Sequence, residues 1–265
     1  MSPETEHRVG AARVTRPGPP PPERWALVTG GSRGIGRAVC LELASLGWDV
    51  AIVYLQNDAA AERPAAEARE RGARVLVHRA NVASSAECEE LVARLTREAG
   101  RLDGLVHCAA LGSPAGVLDP RPNRWRLAWD THVGALIDLL GRARPLFRSG
   151  AAVVAMSSLG ARRVMPGYGP IAAAKGALES LVGYLAADLG TSGVNVNAVC
   201  GGPVDSDSLR RFPAFAELDA QSQRRPSTRM GQPEDLAPIV AFLLSPAARW
   251  IRGQVVVADG GFSLY

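Results

Sequence analysis

Trp25-Ala26-Leu27-Val28-Thr29-Gly30-Gly31-Ser32-Arg33-Gly34-Ile35-Gly36, residues 25–36, is an apolar run that breaks into a glycine-rich turn, and an amphipathic pattern continues behind it to about Leu46. The run predicts a buried strand and the pattern a helix. Glycines at such a junction let the chain turn tightly, bring backbone close to a pyrophosphate and pack the helix on its sheet, while the helix N-terminus supplies N–H groups and positive potential. An ordinary strand-to-helix turn is the alternative. Strand, turn and helix standing in that order favour a dinucleotide cradle made by Gly30, Ser32, Arg33, Gly34, Ile35 and Gly36.

Outward from this unit the same rhythm repeats. Apolar runs at 25–29, 49–54, 74–78, 104–108, 151–156, 194–199 and 255–258 alternate with helical patterns. Such alternation predicts an α/β fold, a doubly wound Rossmann-type parallel sheet of seven strands with helices on both faces. Ser84-Ser85-Ala86-Glu87 reads as a capping box, and Gln232-Pro233-Glu234-Asp235 sets proline and acids where a helix N-terminus favours them. Residues 1–23 are polar and end in a proline run, so they read as a disordered tail before a single domain at 24–265. The stretch from about Pro203 to Gly231 carries no strand pattern, and a segment of that length predicts a lid.

Composition narrows the function classes. The formal net charge is +4, but the basic residues are spread along the chain and form no block with interleaved aromatics, which argues against nucleic acid. No apolar run approaches the roughly 20 residues of a membrane span, and the first residues lack a secretory apolar stretch, so a cytoplasmic protein is expected. Cys40, Cys88, Cys108 and Cys200 are scattered without metal-ligand spacing and read as buried thiols. Lys175 is the only lysine in the chain.

The second strand ends Tyr54-Leu55-Gln56-Asn57 and reaches no carboxylate until Asp58. An acid at that strand end would bind the adenosine ribose of NAD, so its absence favours NADPH, with Arg33 meeting the 2′-phosphate or, alternatively, standing solvated at the surface. Asn81-Val82 follows the third strand, where the Asn side chain either holds the adenine or shapes a turn.

Four features together resemble the short-chain dehydrogenase/reductase family over roughly residues 25–265: the glycine motif, Ser157-Ser158 after the fifth strand, Tyr168 and Lys175 opening a helix, and Asp259-Gly260-Gly261 near the C-terminus. The family's usual Tyr-x-x-x-Lys spacing would put the tyrosine at Ile171. Tyr168 stands seven residues before Lys175 instead, a Tyr-x6-Lys spacing similar to that of the type III enoyl-acyl-carrier-protein reductases and the enoyl-CoA reductases of cyclohexenyl thioesters. Ser157-Ser158-Leu159-Gly160, the stretch Gly201-Gly202-Pro203-Val204-Asp205-Ser206-Asp207-Ser208-Leu209, and Ile251-Arg252-Gly253-Gln254 agree with that branch. Pro170 suits the first helical position, which leaves Tyr168 in a Gly-rich turn with reach over the pocket.

The resemblance implies that NADPH gives hydride to the β-carbon of an enoyl thioester while Tyr168 hydrogen-bonds the developing enolate oxygen. Lys175 would hold the nicotinamide ribose and favour a phenolate-like Tyr168, and Ser158 would donate a second hydrogen bond or serve only as a strand-end turn. Tyr54, Ala109, Gly202, Val204 and Ser206 would line the cofactor, the last two beside its carboxamide and phosphates. Two departures stand out: His107-Cys108-Ala109 replaces the family's Asn-Asn-Ala, and His132 aligns with its helix-five Asn. His132 is either a proton-relay group or a satisfied polar residue, and His107 and Cys108 read as wall residues. Reduction of a carbonyl or imine on a polyketide-like intermediate, or cofactor binding without turnover, are the rivals. A small-molecule or carrier-bound acyl substrate and a homodimer or homotetramer are the implied partners, and Arg210, Arg211, Arg224 and Arg225 in the lid segment either attract an acidic acyl carrier protein or phosphopantetheine or stand solvated.

Overall fold

The computed structural model describes residues 23–118 and 121–264, so the tail read from residues 1–23 lies outside the described chain except for Glu23. Seven strands, β1 (Trp25–Thr29), β2 (Asp49–Tyr54), β3 (Val75–Arg79), β4 (Leu102–His107), β5 (Phe147–Ser158), β6 (Asn195–Gly201) and β7 (Val255–Ala258), form one sheet in the order β3-β2-β1-β4-β5-β6-β7. All neighbours are parallel. The predicted strands are all present. The fifth is longer than its apolar run because Phe147 pairs with Leu102 before a register shift.

Every residue of β1 is buried, as a strand covered on both faces requires. Alternate side chains feed two separate cores. Trp25 and Leu27 pack with the layer of α3 (Ser85–Glu98), α5 (Ala135–Ala143) and α6 (Gly169–Gly190), whereas Ala26 and Val28 pack with α1 (Gly34–Ser45), α2 (Asp58–Glu70) and α8 (Pro233–Leu244). Pro122–Trp129 (α4) and Phe215–Ser222 (α7) complete the helices. Strand order reverses between β1 and β4, and the crevice beyond the C-terminal ends of these two strands is where an open α/β sheet binds a ligand.

The helix starts differ in one detail from expectation. Ser84 caps α3 by accepting the Glu87 N–H at 3.4 Å, but the return half of the box is not made, since the Glu87 carboxylate accepts the Asn81 N–H at 2.7 Å. At α8 the Asp235 carboxylate accepts the Gln232 N–H at 2.6 Å, and Pro233 opens the helix as expected. Between β6 and α8 the segment 203–231 holds a short 3-10 turn and α7, and its ends are clasped. Asp205 N–H donates to the Gly231 carbonyl at 2.8 Å and Gly231 N–H to the Pro203 carbonyl at 2.9 Å. No helix among the described residues is long and apolar enough to cross a membrane.

Candidate active site

The glycine turn is built for close approach. Gly30 adopts φ +68°, and a Cβ there would stand 3.0 Å from the Ala109 nitrogen. At Gly36 a Cβ would fall 2.2 Å from the Gly30 carbonyl oxygen, so only glycine lets α1 start this near the turn. Arg33 is the N-cap residue and offers no side-chain cap, and the first turn of α1 carries no acid. The helix N-terminus therefore keeps its donors and its positive potential for an anion, which is what a dinucleotide pyrophosphate requires. Ser32, Gly34 and Ile35 are part-buried along the turn, and the Arg33 side chain is exposed at its rim.

Tyr54 is buried at the end of β2 with its hydroxyl donating to Asp58 at 3.0 Å, so the nearest acid is engaged by a neighbour at the head of α2. That contact and burial raise the Tyr54 phenol above its usual value. Asn81 is exposed, and its side-chain oxygen accepts the Ala83 N–H at 3.1 Å, an Asx-type turn, while Val82 is buried beside it. The turn reading of Asn81 is thus realised, with its amide NH2 not engaged by that bond. On the opposite side of the crevice, a Cβ on Gly202 would stand 2.8 Å from the Asp259 side chain, and Asp259 accepts the N–H groups of Gly261 and Ser263 at 2.9 and 2.8 Å. This brings the C-terminal Asp-Gly-Gly turn against the end of β6. Val204 is buried in the clasp, and the Ser206 hydroxyl accepts the Leu209 N–H at 3.3 Å.

Tyr168 precedes the first residue of α6, with Pro170 in the first turn, and Ile171, at the position of the usual tyrosine, is buried. A Cβ on Gly112 would lie 2.4 Å from the Ile171 Cδ1, so this side chain is packed into the wall. The Tyr168 ring lies over Gly160, where a Cβ would fall 2.4 Å from both Cδ1 and Cε1. Burial raises the Tyr168 phenol above its usual value, and the Ser158 hydroxyl beside it works in the opposite direction. Ser158 also accepts the Gly160 N–H at 3.2 Å. Tyr184, further along α6, is 72% exposed and turned away from this group.

Lys175 is buried, and its ammonium donates to the Met156 carbonyl at 2.5 Å. Loss of hydration lowers its pKa to about 8, against the opposing influence of Cys108, Cys200 and Glu179. Its charge bears on His107, His132 and Cys108, whereas Tyr168 is governed by burial, Ser158 and Cys200.

His107 and His132 line the floor. The Thr131 carbonyl can only accept, so His107 Nε2 carries the proton and donates to it at 3.0 Å, and Nδ1 accepts from the Thr29 hydroxyl at 3.1 Å. Burial and the Lys175 charge push His107 down to about 3. Thr29 also accepts the Ala109 N–H at 3.1 Å, which fixes the start of the loop after β4. His132 lies in a π-helical turn, Asp130–Gly134, fully buried with neither ring nitrogen completing a hydrogen bond. Burial and Lys175 hold it well below its ordinary pKa, with only a lesser contribution from the Leu111 backbone in the other direction. Both imidazoles are neutral at physiological pH, so neither is a reservoir of protons. Cys108 is pushed up to about 12 by burial and stays a thiol.

Several residues that shape the site carry no sequence pattern of their own. Glu179, one turn beyond Lys175, accepts from Ser157 at 2.7 Å and from Arg162 at 2.8 Å, which occupies Ser157 and leaves Ser158 as the serine beside Tyr168. Gly160 admits the Tyr168 ring, and Phe212 of the 203–231 segment meets that ring edge-on with centroids 5.4 Å apart. The Ser-x-x-Gly spacing from Ser157 to Gly160 was the one available hint of the first; Phe212 had none.

The sequence pattern of the family described as enoyl-(acyl carrier protein) reductase matches residues 30–263. The chain is 34% identical over 242 residues to the 1-cyclohexenylcarbonyl-CoA reductase of Streptomyces collinus, covering 90% of this chain and 86% of the relative. It is 32% identical over 239 residues to a 3-oxoacyl-(acyl-carrier-protein) reductase of Staphylococcus epidermidis, covering 89% and 97%. Among solved structures, a short-chain dehydrogenase from Burkholderia cenocepacia J2315 in complex with NADP superposes with a TM-score of 0.84 at 35% identity, over 91% of this chain and 97% of that one.

Proposed function

We propose that this chain, which belongs to the short-chain dehydrogenase/reductase family, is an NADPH-dependent cytoplasmic reductase of an α,β-unsaturated acyl thioester carried on coenzyme A or an acyl carrier protein. The observation that carries this reading is the exchange of positions at the head of α6: the phenol beside Ser158 is Tyr168, and the usual tyrosine position is filled by Ile171, packed over Gly112. The similarity to a 1-cyclohexenylcarbonyl-CoA reductase supports it.

When bound, NADPH supplies the hydride for the β-carbon. Gly30, Ser32, Gly34, Ile35 and Gly36 hold the pyrophosphate at the α1 N-terminus, Arg33 takes the 2′-phosphate, and Tyr54, Asn81 and Val82 border the adenosine. Ala109 and Lys175 flank the nicotinamide ribose, and Gly202, Val204 and Ser206 close the far side; the NADP complex of the Burkholderia cenocepacia relative supports the choice of cofactor. Tyr168 donates a hydrogen bond to the thioester oxygen, which gains negative charge as the enolate forms, Ser158 orients the phenol or donates a second bond, and a proton drawn from solvent to the α-carbon converts the enolate into the saturated thioester. Donors fixed in advance at such an oxygen are the principal source of rate in this chemistry. His132 remains neutral and relays rather than releases a proton.

A second reading is reduction of the 3-keto group, favoured by the similarity over nearly the whole chain to a 3-oxoacyl-(acyl-carrier-protein) reductase. NADPH oxidation followed with an enoyl thioester beside its saturated and 3-keto analogues separates the two. Consumption with the enoyl substrate alone is expected; turnover of the 3-keto substrate alone would replace the first reading by the second. The segment 203–231 serves as the lid over the acyl group. Within it Arg210 is tied to Asp205 and Arg225 stacks on Phe262, so Arg211 and Arg224, both exposed, are the residues to receive the phosphates of the carrier. Assembly as a homodimer or homotetramer uses the helices after β4 and β5, where Ile137 and Tyr184 are exposed.

A further inference from the structure

We infer that Phe212 is a positioning residue through which closure of the 203–231 segment sets the Tyr168 phenol; the inference rests on the proposed role of Tyr168. Most of the segment is exposed or only part-buried, yet Phe212 is 7% exposed and belongs to the same apolar core as Ile171, Ala174 and Leu178 of α6. Its ring meets Tyr168 at 5.4 Å between centroids and 62° between planes, the edge-to-face geometry that aromatic pairs favour. The backbone around it is braced locally. Phe212 N–H donates to the Leu209 carbonyl at 2.9 Å, Phe215 N–H to the Phe212 carbonyl at 3.0 Å, and Arg210 grips Asp205 through two nitrogens at 2.6 and 2.8 Å. The clasp of Asp205 and Gly231 returns the chain to its starting point, so the stretch between forms a single excursion whose further ties to the body are few, among them the Ser227 N–H to the Gly260 carbonyl at 3.1 Å and Arg225 over the Phe262 ring.

Tyr168 needs such a partner. It stands before the helix in the turn Gly167-Tyr168-Gly169, where Gly167 adopts φ +75°, and is held by backbone contacts to Ala115, with the Gly167 carbonyl accepting the Ala115 N–H at 2.8 Å. A tyrosine four residues before Lys175 would be fixed by the helix itself; one in a glycine turn depends on what its ring packs against. Gly160 gives the ring room, and Phe212 is the aromatic neighbour that selects one setting of it. Lifting the segment withdraws Phe212, and the phenol then loses both its alignment and the burial that raises its pKa. Closure over the substrate and alignment of the donor are in this way one event.

The test is a double-mutant cycle with an independent optical readout. Phe212→Leu keeps apolar volume but removes the ring contact, and the energy typical of an aromatic pair corresponds to a loss of about three- to tenfold in kcat. In the Tyr168→Phe background the same substitution has no further effect, because the phenol it would set is gone. The ultraviolet phenolate titration of Tyr168, taken as the difference between parent and Tyr168→Phe proteins, moves to lower pH in Phe212→Leu. Additive losses in the cycle, or a Tyr168 titration unmoved by Phe212→Leu, overturn the inference. Full activity of Tyr168→Phe alone would remove the proposed catalytic role of the tyrosine, and the titration would still decide whether Phe212 sets its ring.

Discussion

Replacement of Gly160 by alanine places one methyl group against the Tyr168 ring and nothing else of consequence. The new Cβ would stand 2.4 Å from Cδ1 and Cε1, so the ring must move by 0.6 Å to clear the 3.0 Å that real Cβ atoms keep and by 1.0 Å to reach ordinary contact at 3.4 Å. Gly160 does not adopt a positive φ, so the backbone accepts alanine and the entire response falls on the tyrosine. A displacement of about 1 Å in a group that must meet a reacting atom costs on the order of 10²-fold in rate. Steady-state NADPH oxidation by Gly160→Ala should accordingly show kcat reduced by about two orders of magnitude. Cofactor affinity, measured by fluorescence titration, should stay at the parent level, because the glycine turn at the α1 N-terminus is remote from this contact. Parent-like kcat in a correctly folded Gly160→Ala protein would show that the phenol need not sit where the structure holds it, and the assignment of Tyr168 would fall.

Tyr168→Phe should lower turnover by about 10²–10³, the usual effect of removing one oxyanion donor, and Ile171→Tyr should not restore it, since that side chain points into the wall over Gly112; rescue in the double variant would refute the proposed spacing. Arg33→Ala should weaken NADPH more than NADH, and a calorimetric titration finding equal losses would count against a 2′-phosphate contact. Lys175 titrates near 8 in the folded chain and at 10.5 ordinarily, so its ammonium is lost as pH rises through about 8: cofactor affinity of the free enzyme should decline above that pH, while folding stability rises between 8 and 10.5, where the unfolded chain binds the extra proton. His107 works in the acid range with the same sign. Its pKa of about 3 against 6.5 means the unfolded chain binds more protons in that window, so stability falls as pH drops from 6.5 toward 3, and His107→Asn should make that decline shallower in urea melts, a parent-like slope arguing otherwise.

What could be read from the sequence was local or tied to the resemblance. The β1-turn-α1 unit declares itself because strand, glycine turn and helix are contiguous, and the five inner strands follow because strands buried on both faces are continuously apolar, whereas the edge strands β3 and β7 are legible from short apolar runs alone. Tyr168 and Lys175 stand seven residues apart, one in the turn that enters α6 and one inside the helix, so their pairing needed no knowledge of the rest of the chain. The residues missed act across the sheet or between loops. Thr29 earns its place only when the loop after β4 returns 80 positions later to offer the Ala109 N–H. Phe212 looks like any aromatic in an irregular stretch until the segment folds back on α6. Ser84 shows the limit within a local motif: its partner Glu87 was diverted to Asn81, a donor that a linear pattern does not rank above the expected one.

The two substituted positions after β4 gain a physical meaning from this division between backbone and side chain. The work of the loop is done by main-chain atoms, the Ala109 N–H held by Thr29 and the close pass of Gly30 against Cys108 and Ala109, so asparagine can be exchanged there without losing the crevice. The exchange is constrained by charge. Lys175 is buried with its ammonium on a carbonyl, and any neighbour that became cationic would drive it further toward the neutral form. A histidine tolerated beside it must therefore be kept uncharged, and His107 is, by complete burial and by the Lys175 charge itself, with the Thr29 hydroxyl and the Thr131 carbonyl fixing its tautomer. Cys108 satisfies the same condition as a thiol. His132 meets it by burial and by the charge of Lys175, against a lesser contribution from the Leu111 backbone, while neither of its ring nitrogens completes a hydrogen bond. An imidazole in that π-helical turn can carry its proton on either nitrogen, whereas the donor and acceptor of an amide are fixed to different atoms, and this is the property that the proposed relay would use without placing a net charge next to Lys175.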